Sequence, residues 1–204
     1  PNIDIKLMED LFSRGSKDEK ILVLDILIDL VERKGAFDVA LNVAKKGFLD
    51  LDYEVIIRSR DLFGVLFRSG NGFDLSQYLS KKCFESKREW GLILLGDLVE
   101  EIDALRNSSE KEKIFDMATE WSKKGLLDND YGISYASEKL FKVLFSKGKG
   151  FEEAKEVIVE GFDAKNRNKR RSILELSKML IENGKFFDEV IKVVGKALFD
   201  DDFT

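Results

Sequence analysis

The chain has 204 residues, one proline, one cysteine and no histidine, with 44% hydrophobic and 36% charged residues. These figures argue against disorder and exclude a disulfide framework, a cysteine metal cluster and any catalytic or metal site that needs an imidazole. The net charge of −5 weighs against generic binding to nucleic acid or anionic lipid, and no basic leader or long apolar run predicts a signal peptide or membrane span.

The sequence repeats. Phe37-Asp38, Phe73-Asp74, Phe115-Asp116, Phe151-Glu152 and Phe187-Asp188 are spaced by 36, 42, 36 and 36 residues. Taken in chain order, the predicted units are 1–36, 37–72, 73–114, 115–150, 151–186 and a half unit 187–204, all in one domain. In the first unit the repeat is read by extrapolation, with Phe12 in the row of Phe48. The second opens with a helix whose apolar residues step by three and four: Phe37, Ala40, Leu41, Ala44, Gly47 and Phe48. Asp50-Leu51-Asp52 then makes an acidic turn whose side chains can cap the following helix.

That second helix carries Leu62 and Leu66, in rows with Ile26 and Leu30, Leu98 and Ile102, Leu140 and Leu144, and Leu176 and Leu180. It closes at Gly70-Asn71-Gly72, a C-cap signal repeated at Lys34-Gly35, Lys147-Gly148-Lys149-Gly150 and Asn183-Gly184. The third unit has Ser76, Ser80 and Cys83 in the small-residue rows, and Phe84 beside them. Its extra residues, 107–112, predict a lengthened inter-repeat loop. The fourth repeats the acidic turn as Asp128-Asn129-Asp130, and Trp121 joins the core row of Val43, Leu79, Val157 and Val193. In the fifth unit the basic run Lys165, Arg167, Lys169, Arg170 and Arg171 replaces that turn, and a surface loop is the expected setting. Gly47, Cys83, Gly125, Gly161 and Ala197 form one small-residue row, a seam for close helix approach.

A pair of helices this short cannot bury its apolar face alone, so successive pairs must stack. The expected fold is all-α: a right-handed α-solenoid of five pairs and a final single helix. The Asp-x-Asp turn followed by an aliphatic-led helix, as in Asp50-Leu51-Asp52-Tyr53-Glu54-Val55 and Asp128-Asn129-Asp130-Tyr131-Gly132-Ile133, resembles two-helix HEAT repeats of the HEAT/armadillo superfamily. That resemblance implies partner binding along a concave face lined by the second helices.

On that face the row Ile21, Ile57, Ile93, Tyr135 and Arg171 points away from the predicted core, with Trp90 one turn before Ile93. Large apolar groups so placed either pack between adjacent second helices or form a partner-binding stripe. A neighbouring row, Asp25, Asp61, Asp97, Lys139 and Glu175, changes from acidic to mixed charge, which would orient an extended ligand. The leading functional reading is a non-enzymatic protein-binding scaffold with no cofactor, metal or catalytic residue. Alternatives are an internal segment of a longer array and a nucleic-acid-binding or repair protein. HEAT-like alkylpurine glycosylases line a concave cleft with tryptophan, aspartate and basic residues, and Trp90, Asp97 and Arg58 offer a partial parallel.

Composition fits an intracellular, cytoplasmic protein. Abundant lysine and glutamate beside a single glutamine match thermophile usage, and an AT-rich mesophile genome equally. The final helix keeps apolar Val190 and Val194, which predicts self-association through the C-terminal helix. The first helix, with Lys6, Glu9, Asp10 and Arg14 outward, is expected to act as a polar cap.

Overall fold

The computed structural model describes residues 5–73, 78, 81–82, 88–161 and 167–198, of which the side chains of residues 5, 6, 88, 167 and 196–198 are left aside. The expectations for Asp74, Ser76, Leu79, Ser80, Cys83, Phe84 and Lys165 therefore lie outside the described residues, as do those for the side chains of Lys6, Arg167 and Ala197.

Ten α-helices are present among the described residues, with no strand: α1 (Ile5–Arg14), α2 (Lys17–Glu32), α3 (Phe37–Phe48), α4 (Tyr53–Arg68), α5 (Arg88–Glu100), α6 (Ser108–Leu126), α7 (Tyr131–Ser146), α8 (Phe151–Gly161), α9 (Arg167–Glu182) and α10 (Phe187–Leu198). Two compact units are formed, one from residues 1–87 and 100–111, the other from 88–99 and 112–204.

In the first unit α1 packs on α2 and α3, and α4 packs on both α2 and α3. In the second, α9 packs on α7, α8 and α10, and α8 also meets α10. Thus α1 to α4 in the first unit, and α8 to α10 in the second, each touch more than one neighbour. Polar contacts carry the same period. Arg58 bonds Asp25, Asn42 bonds Glu9, Arg68 bonds Glu101 and Lys123 bonds Glu156, each across 33 residues.

The turns behave as the aspartates predict. Asp50 Oδ1 accepts the Asp52 N–H at 3.0 Å, and Asp52 Oδ1 accepts from Glu54 and Val55 at 2.9 and 3.4 Å. Asp128 and Asp130 repeat this at 3.0 and 3.2 Å. One aspartate shapes the turn and the other caps the helix. At the far ends, α2, α4, α7 and α9 close in one motif. A residue with positive φ follows the helix, and the next N–H reaches back to a carbonyl near its end: Gly35 to Leu30, Asn71 to Leu66, Lys149 to Leu144 and Lys185 to Leu180. Glycine takes the left-handed position at Gly70, Gly148 and Gly184, with φ of 82°, 73° and 67°. In the first unit Lys34 takes it instead, at φ 62°, leaving Gly35 outside that region.

The glycine row is a contact seam. A methyl at Gly47 would lie 2.8 Å from Ser59 Cβ, one at Gly125 would lie 3.0 Å from Leu92 Cδ1, and one at Gly161 would lie 2.6 Å from Leu127 Cδ2 and 2.8 Å from Ile173 Cδ1. Ser59 and Ile173 belong to the fully buried row that also holds Val23, Leu95 and Ser137.

Several local expectations are corrected. Residues 108–112 are not loop: they extend α6 by an N-terminal turn, because Asn107 Oδ1 accepts the Ser109 N–H at 2.9 Å and the glutamates and lysines that follow are good helix formers. Residues 167–171 open α9 rather than forming a surface loop. Ile26 and Leu30 are only half-buried; α2 turns Val23, Leu24, Leu27 and Val31 into the core, toward α4 and α3. Trp121 is half-buried while Val43 and Val157 in its row are fully buried.

The ends also differ. Helix α1 exposes Leu7 and Leu11, so its outer face is not the polar cap expected. On α10, which packs on α8 and α9, Val190 is buried at 1% exposure and Val194 is half-buried, whereas Phe187 and Ile191 are the exposed apolar side chains. Val190 falls in the row of Ala40, Ala118 and Ala154, all wholly buried, and follows that row inward.

Candidate interaction surface

The predicted second-helix rows divide between the two units. In the first, Ile21 on α2 and Ile57 on α4 are half-buried rather than freely exposed, and so form no open apolar stripe by themselves. Between them Arg58 is used internally. Its guanidinium donates to Asp25 and, at 2.8 Å, to Asp61. Those bonds hold its pKa above the ordinary arginine value, Asp61 contributing most, then Asp25. Asp61 is exposed but already paired, and Arg58 ties α2 to α4. On α5, Trp90, Ile93 and Asp97 are all half-buried.

The second unit brings four of the predicted residues together. Between α7 and α9 runs a cleft of about 330 Å³, lined on one side by Tyr135, Glu138, Lys139 and Lys142 and on the other by Arg171, Glu175, Lys178, Met179 and Glu182. Tyr131 and Tyr135, one turn apart on α7, stack with centroids 6.0 Å apart and planes 18° from parallel. A cation lies on each ring: the Arg171 guanidinium 5.1 Å from the Tyr131 centroid and the Lys139 ammonium 5.1 Å from that of Tyr135. A hydrogen bond with Tyr131, and then the charges of Tyr131, Glu138 and Glu175, hold Arg171 above its ordinary pKa. Lys169 and Arg170, from the same basic run, are half-buried at the start of α9.

Below the tyrosines lies a polar group that the sequence reading passed over. Glu138 is only 6% exposed, and its Oε1 accepts a 2.5 Å hydrogen bond from the Ser172 hydroxyl. Ser172 is itself 3.2 Å from the hydroxyl of Ser134, and both serines are buried. A signal for this group existed in the rows. Ser134 stands where other repeats have Ile56 and Leu92, Glu138 where the first has Leu24, and Ser172 where Leu94 and Ala136 stand. Lys20, Arg58, Arg60 and Arg170 share those rows, so what marks these three is that they are polar and buried together in adjacent repeats, where core stability is given up.

A larger hollow, about 540 Å³, is open at the first acidic turn and is lined by Lys20, Lys46, Leu49, Asp50, Leu51 and Asp52. Its carboxylates are occupied in holding the turn. Burial opposes ionisation of Asp50, but the 2.7 Å ion pair with Lys20 and the backbone N–H groups of Asp52 and Leu51 outweigh it and lower its pKa. The hollow is a by-product of the turn, and the α7–α9 cleft is the better candidate.

Among the described residues no cluster of three or more acidic or cysteine side chains is arranged to hold a metal ion, and no helix is long and apolar enough to cross a membrane. No protein-family model matches the sequence, and no curated protein is significantly similar to it.

Proposed function

We propose that this chain is a right-handed α-solenoid of HEAT-like helix pairs and acts as a non-enzymatic scaffold, binding another protein along the face lined by its second helices. The observation that carries this reading is the α7–α9 cleft, where Tyr135, Lys139, Arg171 and Glu175, chosen by row alone, line one concave feature. Support for the stacked arrangement comes from the polar contacts at 33-residue spacing, which tie α1 to α3, α2 to α4, α4 to Glu101 and α6 to α8. The cleft suits a peptide better than a small polar metabolite. It is elongated along two parallel rows and mixes exposed aromatic area with charges of both signs.

Binding to nucleic acid is the competing reading, because stacked tyrosines beside cations can hold unpaired bases. Glu138, Glu175 and Glu182 weigh against it, since they would repel phosphates drawn to Lys139, Lys142 and Lys178. The two readings separate by experiment. A photo-crosslinker at Tyr135 should capture a specific protein from source-cell extract, and one at Glu120 on α6 should not. Fluorescence anisotropy with labelled single- and double-stranded DNA should show no binding at low salt. Capture by the α6 probe alone, or tight salt-sensitive DNA binding, would reverse the assignment.

A further inference from the structure

We infer that the α7–α9 cleft takes a basic side chain, lysine or arginine, from an extended partner segment, and that Glu138 is its counter-charge. The inference rests on the interaction-surface reading above and adds the chemistry of the ligand.

Glu138 is a carboxylate with nine-tenths of its surface buried, yet it lines an open cleft. Its Oε1 is held by Ser172, and among the described residues no donor meets Oε2. Burying an ionised carboxylate with one neutral hydrogen bond is costly unless a cation completes it. Among the described residues none of the cleft's own cations is hydrogen-bonded to Glu138, although Arg171 feels its charge and Lys142 stands exposed at the rim. Arg171 lies over Tyr131 and is hydrogen-bonded to it, Lys139 lies over Tyr135, and Lys178 is 3.9 Å from Glu182. An incoming guanidinium or ammonium would find Oε2 vacant, Glu175 on the wall, and Tyr135 and Met179 as apolar surface for its alkyl stem. The volume, about 330 Å³, lies at the small end of ligand-sized pockets, ~300–1,000 Å³. At the rim Lys142 and Lys178 are exposed, which favours acidic residues on either side of the basic anchor. A ligand with a carboxylate as its anchor would instead bring like charge against Glu138.

The test uses the full chain, labelled with ¹⁵N, and three capped peptides. One has arginine at its centre with glutamates two residues away on each side. The second replaces that arginine by neutral citrulline, and the third reverses every charge. The arginine peptide should shift amide resonances of α7 and α9. Its affinity should exceed that of the citrulline peptide by at least tenfold, and Glu138→Gln should erase that difference. The citrulline comparison is made on the unaltered protein, so it holds even if Glu138→Gln fails to fold. Equal binding of arginine and citrulline peptides, preference for the charge-reversed peptide, or no shift with any peptide would overturn the inference. If a crosslinker at Tyr135 still captures a partner in those cases, only the ligand chemistry is wrong. If it captures nothing, the interaction surface itself is misassigned.

Discussion

At Gly47 a single methyl group decides how closely two helices can lie. Alanine there would force its Cβ against Ser59, in a row with no spare volume, so Gly47→Ala should cost about 1–3 kcal/mol. Gly96 supplies the control. It is helical too, but a Cβ there meets nothing within 4 Å, and Gly96→Ala should stabilise by up to ~1 kcal/mol through helix propensity. Urea midpoints of the two variants should therefore move in opposite directions; parallel shifts would mean that the seam is not a contact. Lys34 makes a related point from the other side. It occupies a left-handed position that its row fills with glycine elsewhere, so Lys34→Gly should raise stability by about 1 kcal/mol. An unchanged or lower melting temperature would show that the Lys34 side chain contributes more than its backbone costs.

Charge at the turns makes an equally specific claim. Folding lowers the pKa of Asp50 below 3.8, through Lys20 and the backbone N–H groups of the turn, against the opposing effect of burial. Glu19 is lowered below 4.5 by the Ser16 backbone N–H and hydroxyl in the capping box at the start of α2. A depressed carboxylate stabilises the fold above its unfolded pKa and loses that contribution as pH falls through its folded value. Melting temperature should hold from pH 7 to about 5 and then fall below pH 4. Asp50→Asn should start lower at pH 7 and show a shallower acid slope. An identical slope in wild type and variant would remove Asp50 from the account.

At the level of elements, most of the helical plan was legible because glycine, phenylalanine and Asp-x-Asp recur at a fixed period. The rows located the turns, the C-terminal glycines and the second-helix core from Leu62 to Leu180. What the rows could not convey was phase and context. In α2 the core is Val23, Leu24, Leu27 and Val31, with Ile26 and Leu30 displaced to its edge, because aliphatic residues at all positions from 21 to 31 but Asp25 and Asp29 offer several nearly equivalent apolar faces. Residues 108–112 look like a polar insertion, yet with Asn107 as cap the same residues propagate a helix already begun. At the candidate site, Tyr135, Lys139, Arg171 and Glu175 were reachable from the rows. Glu138 was not singled out, because a lone glutamate on a helix is ordinarily solvated, and its burial depends on Ser172 in another repeat.

On the scale of the whole molecule, uncovered apolar surface is present on both a first and a last helix: Leu7 and Leu11 on α1, Phe187 and Ile191 on α10. We propose that the C-terminal helix mediates self-association through Phe187 and Ile191. Sedimentation velocity should then show a concentration-dependent larger species that disappears in Phe187→Glu/Ile191→Glu, with little loss of helical signal. Val190→Glu is the contrast, since it places a charge in a buried row and should unfold the local helices instead. A monomer at every concentration, or dissociation by neither charged substitution at Phe187 and Ile191, would leave α10 without a role in assembly.

The contacts that recur across 33 residues also bear on how the chain comes apart. Arg58 and Asp25, Arg68 and Glu101, and Lys123 and Glu156 each join positions close in the chain, so no long loop must close before they form. A fold tied together at this range loses order by stages rather than in a single event. Native-state hydrogen exchange should therefore rank amides by helix pair. Those of α2 and α9, each packed against three other helices, should be slowest, while α1 and α10 should exchange through openings that leave the rest of their units intact. Such partial opening would make the sequence order of the helices also the order in which they are released under load.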